Sequence, residues 1–258
     1  MAQLTRELQE TLIRDGYVQV PGAVPRPLVD AALRAINHDL SQGMDPAKMW
    51  QYHSQSFCPE LRAKKVIRDL FDASAAASLV EGIVGPGALR TVDEGQIALR
   101  FPALGELTLN QPHVDGIADP KGHNGVPVGT ILNFTALACV LLSDLPTTYA
   151  GNFMVWPGTH RTFAAYLRTH GVDTLLSRMP SVPLPQPVQI TGRAGDLIIA
   201  HHLLGHSVAP NHSPNIRYAC FFRLWSKHRG QAFPPAMLDE FLEWPGVAHL
   251  LGGSADAR

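Results

Sequence analysis

Charge of one sign is missing from this sequence. Its 21 Lys and Arg stand against 22 Asp and Glu, a net charge of −1, so no phosphate-binding excess marks nucleic acid as the expected partner. Cysteine is scarce: Cys58, Cys139 and Cys220 are widely spaced and form no CxxC, which excludes a disulfide framework and fits reduced thiols in a reducing compartment. The first ten residues, MAQLTRELQE, carry charges and no apolar leader, and the expected location is cytoplasmic. Long apolar runs are also wanting. The uncharged stretch VPVGTILNFTALACVLLS at 126–143 is broken by Pro127, Gly129, Asn133 and two threonines, so it reads as a buried strand pair and not as a membrane span. There is no internal repeat, low-complexity tract or long charge run.

What is present suffices for a core. With 258 residues, 45% hydrophobic and 17% charged, the chain is read as one domain, 1–258. Residues 1–92 show helical periodicity: Leu4, Leu8 and Leu12, then Val29, Ala32, Leu33, Ile36 and Leu40, with GYVQV as a short strand between them and two further helices before Gly85-Pro86-Gly87. From 93 to 227 the texture changes to short apolar runs bounded by Gly, Pro, Asn and Asp: QIALRF, VGTILNF, ALACVLL, NFMVW, QPVQI, DLIIA and RYACFFRLW. Many short strands at fairly regular spacing indicate a sandwich or barrel, so the class is mainly β with flanking helices. The tail, 228–258, holds one expected helix around Leu238 to Leu242.

Gln111-Pro112-His113-Val114-Asp115-Gly116 puts an imidazole and a carboxylate two residues apart, which an extended strand points to one side. Alone, the pair is as well explained by a surface histidine and a turn aspartate. Further along stand Gly205-His206-Ser207 and, eleven residues after His206, Arg217. Two histidines and one carboxylate that leave coordination positions open form the facial triad of non-haem iron oxygenases, and an arginine nearby offers a fork for a carboxylate.

With these residues the chain resembles the phytanoyl-CoA dioxygenase family of Fe(II)- and 2-oxoglutarate-dependent oxygenases. The resemblance runs from DGYVQVPGAV through HVD and GNFMVWPGTH to GDLIIAHHLLGHSVAPN and Arg217. It implies a double-stranded β-helix (a cupin-like jelly roll) with His113, Asp115 and His206 as iron ligands, and Arg217 pairing with the far carboxylate of 2-oxoglutarate. It also implies O2 as oxidant, succinate and CO2 as products, and hydroxylation or a related oxidation of a C–H bond in a small-molecule substrate. Halogenating relatives lack the triad carboxylate, and Asp115 is present. Ser207 stands one place before the serine of many relatives and would face the other way on a strand.

Of His201, His202 and His206, the step to Arg217 selects His206 as the third ligand. His160 is read as a structural loop residue and His123 as exposed; Arg223, six residues beyond Arg217 on the same strand face, is an alternative carboxylate anchor whose plainer reading is a salt bridge at the strand's far end, and Arg217 is preferred as the anchor. Arg100, Trp156 and Tyr52 are candidate substrate contacts, and residues 49–57 a candidate lid. Two rival readings remain: a non-catalytic jelly-roll metal- or ligand-binding protein, and a zinc hydrolase using the same ligands.

Overall fold

The computed structural model describes residues 2–105, 108–118 and 123–254. Two antiparallel sheets face each other. The larger has the order β1 (Tyr17–Val20), β6 (Leu197–His201), β3 (Ala136–Leu141), β8 (Arg217–Leu224) and β2 (Gln96–Arg100). The smaller has the order β5 (Val188–Gln189), β4 (Phe153–Val155) and β7 (His206–Val208).

Both faces of the larger sheet are covered, which explains why its strands read as unbroken apolar runs. On β3, Ala136, Ala138 and Val140 join Leu197, Ile199, Cys220, Phe222, Ile97 and Leu99 on a face packed by helices. Those helices are α1 (Arg6–Asp15), α2 (Arg26–Ser41), α4 (Lys65–Asp72) and α5 (Ala75–Val84), with α3 (Met49–Ser54) beyond them. The alternate residues, Leu137, Cys139, Leu141, Ile198, Ala200, Ala98, Ala219 and Phe221, meet Phe153, Val155 and Ile190 of the smaller sheet side. The period of two along each strand thus sorts side chains between a structural face and the face that carries the site.

Local signals set the helix ends. The Thr5 hydroxyl accepts from the Leu8 amide at the start of α1, and Gly16 closes it in the left-handed conformation. A Cβ at Gly16 would lie 2.5 Å from His160 Nδ1, so glycine there serves packing as well as φ. Ser74 caps α5 through the Ala76 amide.

Several expectations need correction. The stretch 126–143 supplies one strand, β3, and not a pair: 128–134 is loop, with Gly129 at φ 79° and Ile131 bridging only Ile117. A helix, α6 (Thr159–His170), stands inside the strand-rich half. His160 lies buried in its first turn instead of in a loop. The tail forms short turns, α7 (Arg229–Ala232), α8 (Pro235–Leu238) and α9 (Pro245–Ala248), and not one helix around 238–242. No described helix is long and apolar enough to cross a membrane.

Candidate metal and co-substrate site

His113 and His206 are cross-strand partners. Each backbone amide donates to the other's carbonyl, at 3.0 and 3.1 Å, in an isolated antiparallel bridge. This brings the rings to a centroid distance of 4.6 Å. Asp115 follows two residues on, and Gly116 then turns the chain at φ 85°. A Cβ there would come within 2.6 Å of Leu132 O, so only glycine fits this close approach. Asn133 pins the turn: its Nδ2 donates to the carbonyls of Asp115 (2.8 Å) and His202 (3.1 Å), and its Oδ1 accepts from buried Arg229.

The result is a convergent donor set. Asp115 Oδ1 lies 3.4 Å from His113 Nε2 and 3.6 Å from His206 Nε2, and one donor atom from each residue falls within 4.8 Å of the others. His206 Nδ1 donates to Leu204 O at 2.9 Å. That ties Nδ1 to the backbone and leaves Nε2 as the ring atom that faces Asp115 and is open to a metal.

Burial alone would raise the Asp115 pKa. The Arg223 guanidinium and the two imidazoles outweigh it and hold the carboxyl well below the usual range. The His113 pKa is lowered, by the packing around its ring nitrogens and by the neighbouring His206 and Arg223, although about half of its side chain stays accessible. An ionised carboxylate is the form in which Asp115 would serve a divalent cation.

Arg217 opens β8 and is buried. Its Nε donates to Gly151 O (2.7 Å) and Nη1 to Ala98 O (3.0 Å), whereas Nη2 has no partner. Burial, then repulsion from Arg100, lower its pKa to about 9, so it stays charged near neutrality. Arg100 is its direct cross-strand partner, and among the described residues no carboxylate pairs with either. Two guanidinium groups opposed in this way repel each other, a repulsion that a bound anion would relieve. Both line the same cavity as His113, Asp115 and His206, a cleft of about 1100 Å³.

No family model matches the sequence, and no curated protein matches it. Solved structures do. The chain is similar to the non-haem alpha-ketoglutarate-dependent carbocyclase SnoK from nogalamycin biosynthesis, at 21% identity over 86% of this chain and 84% of that one, with a TM-score of 0.56. It is similar to HygX from Streptomyces hygroscopicus, solved with nickel and 2-oxoglutarate bound (17% identity, 88% of each chain, TM-score 0.57). EctD from S. alaskensis, solved with bound Fe, matches at 18% identity over 86% of this chain and 77% of that one, with a TM-score of 0.56. At these identities the likeness is one of fold.

The remaining sequence candidates separate clearly. Arg100 lines the cavity, but Tyr52 and Trp156 do not: Tyr52 packs on Phe57, and Trp156 is buried with its amide donating to Gly205 O. From the 49–57 segment, His53, Ser54 and Gln55 reach the cavity. Ser54 Oγ and Gln55 Nε2 donate to the His123 carbonyl at 2.7 and 2.9 Å, and Trp50 packs on the His123 ring, so His123 is half-buried and not exposed. Val208 lines the cavity and Ser207 does not. His201 and His202 are buried away from it, stacked on each other and hydrogen-bonded to carbonyls of Glu240, Thr135 and Ala236. Sequence reasoning gave no role to Asn133, Gly116 or Gly151, and placed Arg223 in a salt bridge without naming its partner, which is Asp115.

Proposed function

We propose that the chain is a non-haem Fe(II)- and 2-oxoglutarate-dependent dioxygenase of the phytanoyl-CoA dioxygenase type, hydroxylating or otherwise oxidising a C–H bond of a small-molecule substrate. The observation that carries the proposal is the pairing, in one cavity, of a His/Asp/His donor set with a buried arginine that has an unpartnered Nη2. Ligand capture alone requires no such combination.

The chain order supports a double-stranded β-helix. Strands alternate between the sheets, from β2 in the larger, through the His113 bridge and β3, to β4 and β5 in the smaller, then β6, β7 and β8. On this fold His113, Asp115 and His206 would hold Fe(II) by one face. When bound, the iron supplies O2 activation coupled to oxidative decarboxylation of 2-oxoglutarate to succinate and CO2. Arg217, with Arg100 opposite, fixes the far carboxylate and so orients the co-substrate's other end toward the triad. Leu137, Phe153 and Phe221 wall the space between, exclude water and decide which substrate carbon is within reach. His53, Ser54 and Gln55 of the α3 region form a side that a lid would occupy. The three thiols are buried, and burial pushes Cys139 up to about 12, so they are inert and suit a reducing, cytoplasmic setting.

The test is turnover. Protein supplied with Fe(II), 2-oxoglutarate and air is expected to release succinate slowly, faster when the true substrate is added, and not at all as Asp115→Ala. Succinate no higher in the parent than in Asp115→Ala, across a substrate screen, overturns the proposal.

A further inference from the structure

Asp115 divides its two oxygens between two tasks. Oδ1 faces the histidine nitrogens at 3.4 and 3.6 Å. Oδ2 accepts from Arg223 twice, from Nε at 3.0 Å and from Nη2 at 2.7 Å. The remaining arm of that guanidinium, Nη1, donates to Gln96 Oε1 at 2.8 Å, and its face lies 5.9 Å from the Phe134 ring. Arg223 and Gln96 sit on β8 and β2, adjacent strands of the larger sheet. Asp115 sits outside any strand, in the turn that Gly116 makes.

We infer that Arg223, held by Gln96, is a positioning residue for the metal: it clamps a loop-borne carboxylate to the rigid sheet and restricts Asp115 to one ligating oxygen. Two donors on Oδ2 saturate it on the side away from the histidines, so the carboxylate neither rotates nor offers both oxygens. A carboxylate that bound through both would fill a position that the co-substrate or oxygen needs. Hydrogen-bond partners behind metal ligands are worth 10–100-fold in affinity elsewhere. Arg223 is also a cation close to a cation site. If charge were its whole effect, removing it would tighten metal binding; if orientation governs, removing it loosens binding. The two accounts therefore differ in sign. The inference rests on the metal-site reading above, and does not need the co-substrate reading.

The experiment measures Ni(II) and Mn(II) dissociation constants by chelator competition for the parent, Arg223→Gln, Arg223→Lys and Gln96→Ala, with apo-protein melting temperatures beside them. The expected result is a roughly 10–100-fold loss in Arg223→Gln, part of it restored in Arg223→Lys, and a smaller loss in Gln96→Ala, which removes support without removing charge. The apo melting temperature is expected to fall in Arg223→Gln, which leaves the Asp115 carboxylate without its partner, and to stay close to the parent's in Gln96→Ala. Unchanged or tighter metal binding in Arg223→Gln overturns the clamp. Should Arg223→Gln fail to fold, parent-like binding in Gln96→Ala overturns it instead. A parent that binds metal but not 2-oxoglutarate sinks the oxygenase reading while leaving the clamp to the metal constants.

Discussion

At residue scale the site depends on small groups as much as on charged ones. Gly151 stands at φ 75° with its carbonyl accepting from Arg217 Nε. A Cβ there would lie 2.8 Å from Arg100 Cβ and 3.2 Å from Arg217 Cβ. Gly151→Ala is therefore expected to displace both guanidinium groups, costing about 1–3 kcal/mol of stability and weakening 2-oxoglutarate binding to Ni(II)-loaded protein at least about tenfold. Metal affinity should hardly move; calorimetric titration with each ligand separates the two, and parent-like 2-oxoglutarate binding would contradict the account. His113, Asp115, His206 and Arg217 were singled out in the sequence by the order of the HxD pair, the later histidine and the arginine, together with the family resemblance, and all four line one cavity. The Asp115–Arg223 pair was half legible: Arg223 faces the same side as Arg217 by its six-residue step, but its partner depends on the Gly116 turn, which spacing does not encode.

At element scale, helices covering the larger sheet and most of its strands could be read from periodicity, since each buries a defined face. The misses have physical causes. α6 escaped because Phe163, Ala164 and Leu167, its buried stripe, follow the strand β4 with only a short Pro157-Gly158 break between. The loop 128–134 carries strand-like residues, Ile131 and Leu132 among them, that lack a continuous partner. The α1–α6 contact carries a pH signature. His160 donates from Nε2 to Ile13 O, its Nδ1 is buried without a partner, and burial lowers its pKa to about 4. The native state disfavours the proton that the unfolded chain takes up below its ordinary value near 6.5. Stability from this residue is hence complete above about pH 6.5 and is lost as pH falls toward 4, about 2 kcal/mol of it by pH 5. Urea unfolding at pH 7.5 and 5 should show that loss in the parent and a smaller one in His160→Gln; equal losses would exclude the assignment.

At the scale of the whole molecule, a sheet buried on both faces leaves a cleft beside the smaller sheet in which basic side chains outnumber acidic ones, although the chain as a whole is nearly neutral. Six arginines, Arg62, Arg90, Arg100, Arg178, Arg217 and Arg223, line it against Asp93, Glu94 and Asp115, so an anionic ligand is drawn inward although net charge gives no hint of it. The most direct test of the account is anaerobic addition of Fe(II) and then 2-oxoglutarate to metal-free protein, read by visible absorption. The account predicts a metal-to-ligand charge-transfer band in the parent, its appearance only at higher 2-oxoglutarate in Arg217→Ala, and no band in Asp115→Ala. Bound iron with no band at any 2-oxoglutarate concentration would contradict it.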